Sequence, residues 1–132
     1  MLRRLAFPVV VFVALAGLAA CGGSSGGGSG ACPAKVDTKS APGGDVTVCA
    51  SDLKFDVGTI KAPVGQLDVT LENRGAVYHT LKIEGTSLQL AANPGKSDEG
   101  SVTLKKGTYT FECTVPGHAQ AGMKGKLVIG GG

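Results

Sequence analysis

From about residue 45 onward, apolar and polar residues alternate with a period of two. Leu67, Val69 and Leu71 share one side of the stretch 66–73, and His79, Leu81 and Ile83 share one side of 78–84. Val102 and Leu104 share a side ahead of the turn Lys106-Gly107. Tyr109, Phe111 and Cys113 line one side of 108–115, with Thr110 and Glu112 opposite, and Leu127 and Ile129 close the chain on 126–129. Side chains two apart on an extended chain point the same way, so each stretch reads as a half-buried strand. No window sustains a helical period. Turn residues separate the strands at Pro63-Val64-Gly65, Asn73-Arg74-Gly75, Asn93-Pro94-Gly95, Gly107 and Pro116-Gly117. Short strands with frequent Gly/Pro turns predict an all-β, Greek-key β-sandwich. Residues 85–100 are the least regular and are expected to form the long connection that a Greek key requires. Strand parity sends His79 and Cys113 into the apolar interior near one end.

The N-terminus follows a different pattern. Met1-Leu2-Arg3-Arg4 is basic and the following apolar run ends at Leu18, too short and wrongly flanked for an ordinary transmembrane helix. It closes on Leu18-Ala19-Ala20-Cys21, which resembles the processing site of bacterial lipoproteins. Residues 1–20 then read as a signal peptide, and Cys21 becomes a lipidated N-terminus on the extracytoplasmic face of the membrane. Residues 22–30 are only Gly and Ser, so 21–31 reads as a lipid-anchored tether. Nine such residues reach about 15–18 Å. The remaining domain is 32–132, with its core at about 45–129.

Composition adds little beyond this. Removal of Arg3 and Arg4 leaves 11 basic against 10 acidic residues, a nearly neutral domain without the charge for a nucleic-acid groove. Lys105, Lys106, Lys124 and Lys126 sit at strand ends, where lysines commonly serve solubility and edge protection.

The four cysteines divide by context. Cys21 is accounted for by lipidation. Cys32 and Cys49 form an even pair in an exported, oxidising setting, and a disulfide between them is expected. It would close a loop of about 16 residues, worth about 3 kcal/mol in the chain-entropy model. The competing use, a second metal or redox site, lacks a companion His or Met.

Cys113 keeps different company. Cys113-Thr114-Val115-Pro116-Gly117-His118, followed by Met123, places a thiolate, an imidazole and a thioether close together, and the chain's other histidine is His79. Thiolate and thioether are soft ligands that select Cu(I), and imidazole serves either copper oxidation state. Zinc is disfavoured by the thioether. A catalytic copper would need further histidines, and the chain has two in all. No enzyme activity is therefore expected.

The stretch 108–118, with Ala121-Gly122-Met123-Lys124-Gly125-Lys126-Leu127, resembles the type 1 copper loop of the cupredoxins. Val69-Thr70-Leu71-Glu72-Asn73-Arg74-Gly75 leading to His79 resembles the segment that carries their first histidine. Four residues separate Cys113 from His118 and four separate His118 from Met123, a spacing similar to that of auracyanin and rusticyanin. The resemblance implies one type 1 copper, cycling between Cu(I) and Cu(II), with His79, Cys113 and His118 as strong ligands and Met123 as a weak axial one. It implies that the Thr80 N–H donates to the Cys113 sulfur, and that Val115 offers a second N–H. It further implies a monomer that passes single electrons between membrane-associated redox proteins through a flat surface around His118. The alternative expectation is copper acquisition, storage or tolerance without a redox partner.

Overall fold

The computed structural model describes residues 42–131, and its described residues form strands and turns with no helix. The strands are β1 Gly44–Ser51, β2 Lys54–Phe55, β3 Thr59–Ala62, β4 Gly65–Asn73, β5 His79–Ile83, β6 Gln89–Ala92, β7 Ser97–Leu104, β8 Gly107–Glu112 and β9 Lys124–Ile129. They build one sheet in the order β2-β1-β4-β7 and a second in the order β3-β9-β8-β5-β6. Two pairings, β1 with β4 and β3 with β9, are parallel, so the chain must cross between sheets to make them.

The core lies between the sheets and follows the alternation. Val46, Val48 and Ala50 of β1 and Leu67, Val69 and Leu71 of β4 face Leu81 and Ile83 of β5, Phe111 of β8, and Leu127 and Ile129 of β9. Phe55 and Phe111 pack with ring centroids 5.4 Å apart and planes tilted by 54°, a favourable aromatic arrangement. Phe111 lies opposite Gly125 in the β8–β9 register. A Cβ built on Gly125 would collide with the Phe111 ring, so only glycine leaves the ring its place.

Two details differ from the sequence pattern. Residues 85–100 are not one long connection: they contain β6 and the start of β7. Leu88, Leu90 and Ala92 are buried in alternation with exposed Gln89 and Ala91, a period-two signal masked by residues that are not strong strand formers. In addition, β8 ends at Glu112, whereas the pattern carries it to 115. The backbone turns away there into the 113–123 loop.

Residues 1–41, and with them Cys21 and Cys32, lie outside the described residues. One pole of the sandwich gathers the ends of β1, β4 and β8 and the starts of β5 and β9. His79 pairs with Ala92 and Ala50 with Asn73 at this pole.

Candidate metal centre

His79 opens β5 and points inward, as its parity with Leu81 and Ile83 predicts. It is fully buried. Buried Asn73, at the end of β4, shapes the loop that delivers it. The Asn73 side-chain amide donates to the carbonyls of Val77 at 2.7 Å and Ala92 at 2.8 Å, and its Oδ1 accepts the Gly75 N–H at 2.9 Å. Gly75 then rests against the His79 ring: a Cβ there would lie 3.1 Å from Nε2. Sequence reasoning did not single out Asn73. The available signal was a polar residue on the inward parity of a strand otherwise lined by Leu67, Val69 and Leu71.

The other candidate ligands come from the loop after β8. Its ends are joined by the Cys113 N–H, which donates to the Met123 carbonyl at 3.0 Å. The Met123 N–H donates to the His118 carbonyl and the His118 N–H to the Val115 carbonyl, each at 3.0 Å. Gly117 and Gly122 take positive φ angles of 86° and 106°, which side chains beyond glycine seldom tolerate. The loop is thus a self-bonded turn that holds Cys113, His118 and Met123 at one pole.

One ligand atom each from His79, Cys113 and His118 lies within 4.8 Å of the others. Cys113 Sγ and His118 Nδ1 are 3.5 Å apart. The two imidazoles have centroids 5.2 Å apart and planes tilted by 60°. Cys113 and Met123 are buried, and His118 is half-buried. Cys113 is the free cysteine among the described residues.

Among the described residues, neither ring nitrogen of His79 has a hydrogen-bond partner, although both are buried. Buried polar atoms are nearly always satisfied, so an unmade bond of this kind calls for an absent ligand. Burial pushes the His79 imidazole below its ordinary range, nearby His118 pushes it the same way, and Asp52 opposes them weakly. A neutral imidazole keeps a lone pair for a metal. A buried thiol, two imidazoles and a thioether at one pole suit copper.

Thr80 lies against the Cys113 sulfur with both its backbone and its side chain. Its N–H lies 3.4 Å from Cys113 Sγ, and its hydroxyl lies 3.6 Å from the same sulfur. That hydroxyl also accepts the Thr114 N–H at 2.7 Å and lies 2.9 Å from Thr114 Oγ1. The Val115 carbonyl accepts the His118 N–H, and besides the Thr80 N–H both the Thr80 hydroxyl and His118 Nδ1 lie within hydrogen-bonding reach of the sulfur. Nothing in the sequence pattern set Thr114 apart.

The sequence pattern of the cupredoxin-like domain matches residues 10–129. The copper-resistant cuproprotein CopI of Rubrivivax gelatinosus is 28% identical over 107 residues, covering 64% of this chain. The chain spans 65% of that relative, just under two thirds of its length. Among solved structures, dithionite-reduced auracyanin from the photosynthetic bacterium Roseiflexus castenholzii superposes with a TM-score of 0.60 at 23% identity, over 64% of this chain and 95% of that one. Auracyanin B superposes with a TM-score of 0.55 at 24% identity, over 64% and 87% of the two chains. These likenesses concern the fold.

Proposed function

The chain belongs to the cupredoxin-like family, and from that premise we propose that it is a blue copper protein carrying single electrons between redox partners. His79, Cys113 and His118 would hold the metal strongly and Met123 weakly. The observation that carries this reading is the pair of partnerless nitrogens on buried His79, set beside a buried free thiol and a second imidazole. Copper, when bound, supplies the one-electron Cu(I)/Cu(II) couple. The chain's own residues do the rest. The sandwich keeps water from His79 and Cys113, and the two ligand-bearing loops are tied together through Thr80. His118 is the ligand nearest solvent, flanked by exposed Pro116, Gly117 and Ala121, a small-residue surface on which a partner can approach closely.

The test is the absorption spectrum of the Cu(II)-loaded domain, followed by voltammetry. An intense visible band from sulfur-to-copper charge transfer is expected, and it should vanish in Cys113→Ser, because a hydroxyl cannot replace the thiolate. A Cys113→Ser protein with the band intact would overturn the site.

A second reading, copper handling for tolerance or storage, is favoured by the name of the Rubrivivax relative. A rapid, reversible potential with no copper sensitivity in a deletion strain supports electron transfer. Copper sensitivity without a working redox couple supports handling.

The remaining proposals concern the N-terminal region. Lipid on Cys21 would anchor the exported domain to the membrane, since a diacylglyceryl group supplies two acyl chains. Labelled lipid entering a Cys21→Ala protein would refute that. Cys32 would pair with Cys49, as expected of an even pair of cysteines in an exported, oxidising setting. Non-reducing peptide mapping should return the two as one linked species.

A further inference from the structure

Thr80 is almost wholly buried, and its hydroxyl meets three groups at once: the Cys113 sulfur at 3.6 Å, the Thr114 N–H at 2.7 Å and the Thr114 hydroxyl at 2.9 Å. A hydroxyl has one proton and two lone pairs. The Thr114 N–H occupies one lone pair. Two arrangements of the remaining proton are then open. In one, the Thr114 hydroxyl donates to Thr80 and the Thr80 proton goes to sulfur. In the other, the Thr80 proton goes to Thr114 and the sulfur keeps only the Thr80 N–H.

The charge on the acceptor decides between them. A metal-bound cysteine is a thiolate, and donors prefer an ionised acceptor to a neutral hydroxyl. The first arrangement also saturates Thr80, with two bonds accepted and one donated, and chained hydroxyls polarise one another toward the charge. Thr114 is exposed, so water can serve any capacity left on its own oxygen. Building on the copper reading above, we propose that Thr80 donates to the Cys113 sulfur twice, through its N–H and its hydroxyl, and that the Thr114 hydroxyl orients the second donation.

Thr80 and Thr114 are therefore positioning residues that act on the potential. A second donor withdraws electron density from the thiolate and favours Cu(I). Thr80→Val keeps the N–H and the shape but removes the hydroxyl. It should shift the balance toward Cu(II) by about tenfold at fixed potential, a fall of about 59 mV for a one-electron couple. Thr80→Ser should restore the wild-type value. Thr114→Val should move the potential in the same direction as Thr80→Val, by a smaller step.

The measurement is voltammetry of the three Cu-loaded variants, with the shift of the Cu–S vibrational band on transfer to deuterated water as a second readout. That shift should shrink in Thr80→Val and return in Thr80→Ser. A purely structural role for Thr80 would leave it unchanged. An intact visible band with an unmoved potential in Thr80→Val overturns the double donation. A raised potential in Thr114→Val overturns the orientation, because it means Thr114 was drawing the proton away from sulfur. Should Thr80→Val not fold, Thr80→Ser and Thr114→Val decide: a wild-type potential in the first with a fall in the second supports the proposal, and no fall in the second overturns it. A wild-type protein without the visible band refutes the copper reading itself, an outcome distinct from an unmoved potential.

Discussion

His79 and His118 reach the same cluster under opposite conditions. His79 sits on a strand, wholly buried, with its loop fixed by three Asn73 hydrogen bonds. His118 sits in a glycine-bearing turn, half-buried, with its backbone bonded within its own loop. The strand side supplies a donor that the sandwich holds in place before any metal arrives. The loop side supplies a donor that can be reached from outside. A redox metal needs both, because a site closed on every side insulates its electron and a site open on every side reorganises with each transfer.

Replacing each histidine by glycine is the most drastic way to break that contrast, and the two variants should differ. His118→Gly opens a position next to solvent, so added imidazole should enter and return a strong visible band. His79→Gly opens a hole inside the core, behind Gly75 and the 73–79 loop, and added imidazole should not restore the band. Titration of both Cu(II)-loaded variants with imidazole checks this. Equal rescue of the two would show that the buried and exposed sides are not distinct.

A smaller effect separates the two supports rather than the two ligands. Asn73→Ala leaves the carbonyls of Val77 and Ala92 without their donor near the buried ligand, and a buried unsatisfied group costs about 1–3 kcal/mol. The total loss is expected at about 3 kcal/mol. Gln120→Ala, an exposed change within the other loop, should fall within about 0.5 kcal/mol of wild type. Chemical denaturation of the copper-free protein compares them. Equal losses would mean that the strand side carries no special share of stability.

This difference between the sides also governs how much the sequence reveals. Inward parity alone placed His79 and Cys113 in the interior, since alternation on a strand assigns faces directly. The 113–123 loop has no such period, and the turn pair Pro116-Gly117 and the run of Cys113, His118 and Met123 marked it. Asn73 was legible as a polar residue on an apolar face, but its partner Ala92 lies on β6, a short strand in a stretch of weak strand formers. The Thr80–Thr114 contact joins residues 34 apart in sequence, across the end of the β5–β8 pair. Long-range register of that kind is fixed by packing, which a single sequence does not display.

Met123 offers the finest test, because it belongs to the loop by connection and to the core by burial. Its N–H and carbonyl clamp the loop to His118 and Cys113, and its side chain is fully buried. Met123→Leu leaves the backbone clamp intact and nearly conserves volume, so the fold should lose less than about 1.5 kcal/mol. Met123 would hold the copper only weakly, so loss of its thioether should tune the copper rather than release it. Copper and the visible band should stay, since Cys113, His79 and His118 remain. The potential should rise, because taking away a donor and leaving hydrocarbon destabilises Cu(II) more than Cu(I). Voltammetry of Met123→Leu beside wild type reads this directly. A variant that loses copper as fully as Cys113→Ser would place Met123 among the strong ligands. A variant with an unmoved potential would make its side chain core packing alone, and the loop would then contribute two donors to the metal rather than three.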